Sequence, residues 1–341
     1  MSKLITLLLC EVFLSLTSLK AQPAAIDTFF YVKLGNVEQA IFIKGEDRAK
    51  PVLLILHGGP GFSDFYLWQS YNQPLEDYYT VVTWDQRGTG LSYDDSIPVE
   101  SMTFDQIASD AHDLTGLLKN LFRQKKIYLL GYSGGTISGV KLITKYPGDY
   151  KAFISVGQVV DGMQNERLSL QYTIEKAKEE NNQKALNELQ AIAEKYPSKG
   201  NDAVTYLKKQ REWLRYYHGD LCNGTSMKEI FAGLNPSVMK YYNDTLIDKG
   251  GKFSLDNMWD QVIGVDFLKT KLKFKIPVYF VVGRCDYNAV YTLVEQYYKK
   301  IKAPRKQLFY FEKSGHYMPF TEPDKFNSMM IKILQDEKES M

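Results

Sequence analysis

The sequence predicts an α/β fold in which a mostly parallel central sheet is flanked by helices and interrupted by an inserted helical domain. Short, nearly continuous apolar segments alternate with helical patterns, which is typical of parallel strands covered on both faces. The alternation stops between residues 160 and 272, where no strand pattern occurs. With 341 residues, 44% of them hydrophobic and 24% charged, the chain can build one large core with an insertion, and it is too apolar to be disordered.

Eight segments carry the strand pattern. The first two are rich in β-forming residues and are separated by a Gly-Asn turn, which predicts a hairpin over residues 28–34 and 38–44. The other six are short apolar runs, at residues 52–56, 79–84, 127–132, 152–156, 278–282 and 307–311. Helical patterns lie between them, at residues 103–124, 135–146, 288–300 and 323–336. We therefore assign residues 22–159 and 273–341 to a core domain.

Residues 160–272 are predicted to form a helical cap domain. The segment is rich in Lys, Glu, Gln and Ala, and its Gly and Pro residues divide it into several helices. It falls between the sixth and seventh strands, so we expect it to lie over the carboxyl edge of the sheet.

The amino terminus, residues 1–21, is predicted to be a signal peptide. A basic start is followed by an apolar run from Leu4 to Leu19, and Ala21 stands where a signal peptidase would cleave. The run contains Glu11 and is too short to span a bilayer as a helix. We expect an exported protein, periplasmic or secreted, with a cytoplasmic location as the alternative. The sequence does not tell whether Cys222 and Cys285 pair.

Composition excludes several classes of function. The balance of 42 Lys+Arg against 40 Asp+Glu leaves no basic excess for binding nucleic acid. Three Cys and four His without metal-binding spacing argue against a structural zinc site. We expect no cofactor, no metal and no stable membrane span; the expected partner is a small molecule or short peptide, and the oligomeric state is left open.

The strongest motif is Gly131-Tyr132-Ser133-Gly134-Gly135, directly between the strand at 127–132 and a helical pattern. A G-x-S-x-G sequence in that context is typical of a nucleophile elbow, a sharp turn that exposes the serine hydroxyl. The flanking glycines remove side chains that would collide in such a turn. We therefore predict that Ser133 is a catalytic nucleophile.

A nucleophilic serine needs a base, and the sequence contains four histidines: His57, His112, His218 and His316. The first three lie in a Gly-rich turn, on an acidic helix and in the insertion. His316 follows the last predicted strand, and the order Ser…Asp…His then suits a catalytic triad. The predicted base is His316.

The acid of the triad should follow a neighbouring strand. Asp286, after the strand at 278–282, fits that position and would orient the imidazole. Asp161, after the strand at 152–156, is the rival. We expect the oxyanion hole to use backbone N–H groups of Gly134 and of Gly59, in the Gly-rich segment that follows the strand at 52–56.

The segment Asp85-Gln86-Arg87-Gly88 follows the strand at 79–84. Its glycines do not complete a dinucleotide-binding G-x-G-x-x-G motif. We expect Asp85 and Arg87 to pair and to brace the loops around the site.

These motifs together resemble the proline iminopeptidase family of the α/β-hydrolase superfamily. HGGPG at 57–61, DQRG at 85–88, the Ser133 elbow, GRCD at 283–286 and SGH at 314–316 occur in the family's order. The resemblance implies a serine peptidase or related hydrolase with a helical cap over a small substrate and no cofactor. It supports an aminopeptidase acting on short peptides, with a carboxylesterase as the alternative and a non-catalytic ligand-binding protein as the least favoured reading.

Two departures from the family pattern affect substrate recognition. The family's elbow is usually Gly-Gly-Ser-Trp-Gly, whereas Tyr132 and Gly134 flank the serine here. The family also binds the substrate amine with cap glutamates, one in a Trp-x-x-Trp-Glu stretch, and residues 213–218 have no glutamate at that step. Glu166, Glu212 and Asp220 remain candidate amine partners. The candidate substrate-binding residues are Tyr132, Glu166, Trp213 and Tyr217.

Overall fold

The computed structural model describes residues 24–222, 224–270 and 272–339. The predicted signal peptide therefore lies outside the described residues. The described chain contains eight strands: β1 (Ile26–Leu34), β2 (Val37–Gly45), β3 (Val52–Leu56), β4 (Thr80–Trp84), β5 (Ile127–Tyr132), β6 (Tyr150–Val156), β7 (Val278–Gly283) and β8 (Lys306–Phe311). Each lies within about two residues of a segment predicted from the apolar pattern.

One open sheet contains all eight strands, in the order β1-β2-β4-β3-β5-β6-β7-β8. Strands β1 and β2 form the predicted hairpin, and β2 pairs antiparallel with β4. Strands β3 to β8 are all parallel to one another. Every residue of β3, β5 and β7 is buried, which explains why these strands are apolar throughout rather than alternating. The fold class predicted from the sequence is confirmed.

Within the described ranges, twelve α-helices accompany the sheet: α1 (Phe65–Tyr71), α2 (Phe104–Leu121), α3 (Gly135–Lys145), α4 (Gly162–Glu179), α5 (Gln183–Ala193), α6 (Ala203–Tyr216), α7 (Met227–Ala232), α8 (Pro236–Met239), α9 (Asp244–Ile263), α10 (Tyr291–Lys300), α11 (Met318–Thr321) and α12 (Pro323–Glu339). Buried side chains of α2, α3 and α10 join one apolar cluster. Those of α1, α11 and α12 join a second cluster. The two clusters use alternate residues of the same strands, so they cover the two faces of the sheet.

Helices α4 to α9 form the insertion between β6 and β7, and its described residues contain no β-strand. Side-chain caps set where several of these helices begin. Asp161 accepts a hydrogen bond from the N–H of Gln164 at the start of α4, and Asn243 accepts one from Leu246 at the start of α9. The all-helical character of this stretch agrees with the sequence pattern, whereas its status as a separate cap domain stays a prediction.

A disulfide joins the insertion to the core. Cys222, which follows α6, is bonded to Cys285, which follows β7, with 5.4 Å between the Cα atoms. The sequence left this pairing open because two cysteines are too few to indicate a disulfide framework. In the part of the chain that the structure describes, no helix is both long and apolar enough to cross a membrane.

Candidate active site

Ser133 occupies a strained turn between β5 and α3. Its φ is +51°, in the left-handed region that residues other than glycine rarely adopt. A Cβ on Gly131 would lie 3.0 Å from the carbonyl oxygen of Gly135, and one on Gly135 would lie 2.3 Å from that of Leu56. Both positions therefore need glycine. The backbone N–H of Ser133 donates to Val156 at the end of β6, 2.8 Å away, which fixes the turn to the sheet. The geometry is that of the nucleophile elbow the motif indicates.

His316 and Asp286 form a buried pair at the same edge of the sheet. The Nδ1 of His316 lies 2.8 Å from Oδ2 of Asp286, and both side chains are almost fully buried. The other carboxylate oxygen, Oδ1, accepts the backbone N–H groups of Asn288 at 2.9 Å and Ala289 at 2.7 Å. The carboxylate is thus held by two donors while its remaining oxygen orients the ring. With Nδ1 donating to Asp286, Nε2 of His316 is left as a proton acceptor.

Tyr132 links the histidine to the elbow. Its ring stacks on the ring of His316 with 5.4 Å between centroids, and its hydroxyl donates to the carbonyl oxygen of His316 at 3.2 Å. Since Tyr132 directly precedes Ser133, the histidine loop is attached to the elbow itself. The structure places Tyr132 in the core, 1% exposed and outside the cavity that contains Ser133. It supports His316 and does not occupy the substrate-facing position we predicted for it.

Gly157 lies directly against the side chains of His316 and Asp286. It follows Val156, whose carbonyl oxygen accepts the N–H of Ser133. A Cβ on Gly157 would lie 3.1 Å from Cε1 of His316 and 3.8 Å from Oδ2 of Asp286. The structure thus brings Ser133, Asp286 and His316 to one edge of the sheet, as their positions after β5, β7 and β8 predict.

The Gly-rich loop after β3 packs directly on the elbow. A Cβ on Gly58 would lie 2.9 Å from Cβ of Ser133, and one on Gly134 would lie 2.4 Å from the carbonyl oxygen of Gly59. Gly59 has φ of +110°, which also requires glycine. The two predicted oxyanion-hole residues, Gly59 and Gly134, are therefore in contact beside the nucleophile.

The other histidines have structural surroundings. His57 is buried, and Nε2 accepts the N–H of Gln86 at 3.0 Å while Nδ1 lies 2.8 Å from the carbonyl oxygen of Gly58. Burial lowers the pKa of His57 to about 4, so it is neutral near neutral pH. His112 stacks on a tyrosine ring of the surface, and His218 is exposed in the insertion. None of the three is placed to act on Ser133.

Asp85 and Arg87 both brace the site, but they do not pair with each other, so that expectation is wrong. Arg87 forms a bidentate ion pair with Asp110 of α2, with N–O distances of 2.9 and 3.1 Å. Asp85 instead accepts hydrogen bonds from Ser63 Oγ at 2.6 Å and from the N–H of Leu91 at 2.9 Å. Burial raises the pKa of Asp85 to about 6. Asp110 is 23 residues from Arg87, and no motif points to it.

Asp161, the rival for the acid of the triad, is used as the cap of α4. Its side chain accepts a backbone hydrogen bond there, whereas His316 is paired with Asp286. The structure thus places Asp286, and not Asp161, beside the base.

A cavity of about 360 Å³ opens beside Ser133. The core contributes Gly59 and Phe62 to its wall, and the insertion contributes Glu166, Arg211 and other residues, among them Leu207 and Trp259. Phe62, Leu207 and Arg211 were not among the substrate-binding residues predicted from the sequence. Phe62 could have been found because it directly follows the Gly-rich segment, and the spacing of four between Leu207 and Arg211 puts them on one face of α6. A larger open groove of about 940 Å³, next to β1, contains none of the three predicted triad residues.

Glu166 is the candidate amine partner that lines this cavity. Its Oε1 accepts hydrogen bonds from Asn165 at 2.9 Å and from Nη2 of Arg211 at 2.7 Å, and its Oε2 accepts one from the hydroxyl of Tyr196. Glu212 is exposed and pairs with a lysine of its own helix, and Asp220 pairs with an arginine behind His316. The structure therefore separates the three carboxylates and leaves Glu166 at the cavity wall.

Trp213 and Tyr217 do not line the cavity of Ser133. The indole N–H of Trp213 donates to Glu188 of α5 at 3.0 Å, and its ring packs with that of Tyr217. Tyr217 borders a separate surface groove. Both predicted substrate contacts are thus replaced by packing within the insertion. Among the residues that the structure describes, no cluster of three His, Cys, Asp or Glu side chains could hold a metal ion.

Comparison with known proteins agrees with this geometry. A family model described as "Serine aminopeptidase, S33" matches residues 47–324. A protein of Bacillus subtilis named "Probable aminopeptidase YbaC" is 29% identical over 299 residues, which cover 86% of this chain and 92% of that protein. A "Proline iminopeptidase" of Thermoplasma volcanium is 23% identical over 318 residues, covering 89% of this chain and 96% of the relative.

A solved structure is also similar. The proline iminopeptidase-related protein TTHA1809 of Thermus thermophilus superimposes with a TM-score of 0.62 at 18% identity, covering 91% of this chain and 98% of the other. At that identity the likeness shows a shared fold.

Proposed function

Since the chain belongs to the serine aminopeptidase family S33, we propose that it removes the amino-terminal residue, proline among others, from short peptides. The protein is a serine hydrolase of the proline iminopeptidase type, and its family and relatives support an aminopeptidase. The proposed removal of an amino-terminal residue rests on one observation: the buried carboxylate of Glu166 lies on the wall of the cavity that contains Ser133.

In the proposed mechanism, Ser133 attacks the carbonyl carbon of the scissile bond while Nε2 of His316 accepts the hydroxyl proton. Asp286 holds the ring and stabilises the imidazolium that forms. Backbone N–H groups of Gly59 and Gly134 receive the negative charge of the tetrahedral intermediate. His316 then protonates the leaving amine, and a water molecule releases the acyl group from Ser133 by the same steps in reverse order.

Glu166 would receive the ammonium group of the substrate. Asn165, Tyr196 and Arg211 all donate to this carboxylate, and these three hydrogen bonds fix its position. An ammonium group entering the cavity would then meet a preorganised negative oxygen. A cavity of about 360 Å³ suits one amino-acid side chain with its amine rather than a long peptide. We further propose that helices α4 to α9 act as a cap that shields this cavity from bulk water.

The test is Glu166→Gln, compared on a free-amine prolyl anilide, its amine-blocked version and a short aryl ester. A charge-assisted hydrogen bond contributes about 1.5–3 kcal/mol, so we expect kcat/KM on the free-amine substrate to fall about 10- to 150-fold. Turnover of the blocked and ester substrates should change little. Glu212→Gln, an exposed change on the neighbouring helix, is the matched control. A wild-type enzyme that prefers the blocked or ester substrates would contradict the aminopeptidase proposal.

One observation favours a carboxylesterase as the second candidate. Arg211 already neutralises Glu166 with a 2.7 Å ion pair, so the cavity carries little net charge without substrate. An uncharged acyl group could then bind without displacing a partner. This alternative predicts equal losses on all three substrates in the Glu166→Gln variant, because only the packing of Arg211 would be disturbed.

We also propose that the protein is exported. The signal-like sequence of residues 1–21 supports this, and so does the Cys222–Cys285 disulfide, since such bonds persist in oxidising compartments. Sequencing the amino terminus of the protein from a periplasmic or culture fraction tests it. We expect a start at Gln22; a chain that keeps Met1 and stays in the cytoplasmic fraction would contradict export.

A further inference from the structure

A short segment of the insertion, Gly219–Cys222, lies between the two loops that carry Asp286 and His316. The carbonyl oxygen of Gly219 accepts the N–H of Tyr287, 2.7 Å away. The carbonyl oxygen of Asp220 accepts the N–H of His316, also at 2.7 Å. The segment therefore bonds to the histidine itself and to the residue that follows the triad acid.

The disulfide makes the same connection covalent. Cys222 ends the segment, and its partner Cys285 directly precedes Asp286. The N–H of Cys285 donates in turn to Ser314 on the histidine loop, at 3.1 Å. Gly315 has no room for a side chain, because a Cβ there would lie 2.4 Å from the carbonyl oxygen of Asp220. The segment and both loops form one closely packed unit.

The segment is also held by two helices of the insertion, α6 and α4. Arg215 of α6 binds the buried carboxylate of Asp220 with an Nε–Oδ2 distance of 3.1 Å. Tyr172 of α4 stacks on Tyr287 with 3.8 Å between centroids and donates its hydroxyl to the carbonyl oxygen of Tyr217 at 2.8 Å. The position of the helical insertion is thus transmitted to Asp286 and His316 through Gly219–Cys222.

The disulfide lies beside a groove of the surface. Cys222 and Cys285 both border an open groove of about 750 Å³ on the surface, separate from the cavity of Ser133. Cys285 is half-buried, while Asp286 beside it is 1% exposed. Cys222 is 9% exposed, so a small thiol would approach the bond from this groove and from the side of Cys285, outside the cavity of Ser133.

We propose that Gly219–Cys222 is a positioning segment for Asp286 and His316, and that the Cys222–Cys285 bond is a redox lock that keeps the hydrolase active. This inference rests on the proposed function, in which His316 is the catalytic base and Asp286 orients it. A dithiol opens the lock: one of its thiolates attacks a cysteine sulfur, and its second thiol resolves the mixed disulfide. Two electrons and two protons pass to the protein, which gains two thiols while the reductant forms its own disulfide. If the protein is exported, as proposed above, this lock would keep its activity low until it reaches an oxidising compartment.

The test compares the oxidised protein with the same protein reduced by dithiothreitol, with free thiols counted by mass after maleimide labelling. Turnover is measured on the prolyl anilide and the aryl ester and is divided by the number of Ser133 sites titrated with a fluorophosphonate. This normalisation removes any unfolded fraction. We expect kcat per site to fall about 10- to 100-fold with little change in KM, because loss of positioning acts on the transition state. Reoxidation should restore the rate.

The double variant Cys222→Ser/Cys285→Ser provides the second measurement. It should match the reduced enzyme and should not respond to dithiothreitol. An unchanged kcat per site after complete reduction would overturn the proposal, and so would a dithiothreitol response that persists in the double variant. A protein inactive on the free-amine substrate in both redox states would contradict the aminopeptidase function, while the rate of Ser133 labelling in the two states would still test the lock.

Discussion

The contact between Gly134 and Gly59 offers a direct test of the oxyanion hole. In Gly134→Ala the new methyl carbon would lie 2.4 Å from the carbonyl oxygen of Gly59, whereas ordinary contact begins at 3.4 Å. The Gly-rich loop must then recede by about 1 Å. Productive hydrogen bonds to an oxyanion span only about 2.7–3.1 Å, so a displacement of this size removes one donor.

The expected cost follows from the loss of that donor. Removing one oxyanion-hole hydrogen bond raises the activation free energy by about 3–4 kcal/mol, a loss in kcat of about 10²- to 10³-fold. KM should change little, because the negative charge develops only in the transition state. Steady-state kinetics on the best substrate of the wild-type enzyme measures both constants.

A matched control is available in the same chain. Gly116 lies within α2, and a Cβ there would meet no atom within 4 Å. Gly116→Ala should therefore leave kcat unchanged. A folded Gly134→Ala enzyme with kcat within about threefold of the wild type would show that Gly134 and Gly59 do not form the oxyanion hole, since the predicted loss in kcat is far larger.

Two further predictions concern carboxylates. Asp286→Asn should lower kcat about 10³- to 10⁴-fold through loss of imidazole orientation, while Asp161→Asn should keep near-full turnover; the reverse pattern in the same kinetic assay would reassign the acid. Burial raises the pKa of Asp85 from 3.8 to about 6, so the contribution of Asp85 to the free energy of unfolding is lost as pH rises through that range. Burial lowers the pKa of His57 from 6.5 to about 4, so the contribution of His57 is lost as pH falls through that range. These opposed contributions are each about 3 kcal/mol. In Asp85→Asn only the contribution of His57 remains. Urea unfolding should therefore show that, between pH 6.5 and pH 4, the free energy of unfolding falls by about 3 kcal/mol more in the variant than in the wild type. Equal decreases in both proteins would contradict this.

The strands could be predicted from the sequence because burial on both faces makes each of them apolar throughout. The positions of Ser133, Asp286 and His316 could be predicted for a related reason, since each residue lies in the loop after a parallel strand and such strands end at one edge of the sheet. The glycines of the elbow are explained by space: a Cβ at any of them would lie only 2.3–3.0 Å from a backbone oxygen.

Other features depend on packing between distant segments. Trp213 lies on α6 and Tyr217 directly follows this helix. The apolar residues here could have faced either the cavity or the interior of the insertion, and the sequence period does not distinguish these faces. Arg87 binds Asp110, a residue outside its motif. Tyr132 precedes the nucleophile but contacts His316, 184 positions away. Such partners are set by the tertiary structure, so local patterns could not identify them.

The most direct test of the catalytic assignment is fluorophosphonate labelling of the purified protein, followed by mass spectrometry of its peptides. We expect one covalent adduct, on Ser133, that forms slowly in His316→Ala and is absent in Ser133→Ala. A correctly folded protein that gains no adduct, or gains it on another residue, would contradict the assignment of Ser133 as the nucleophile.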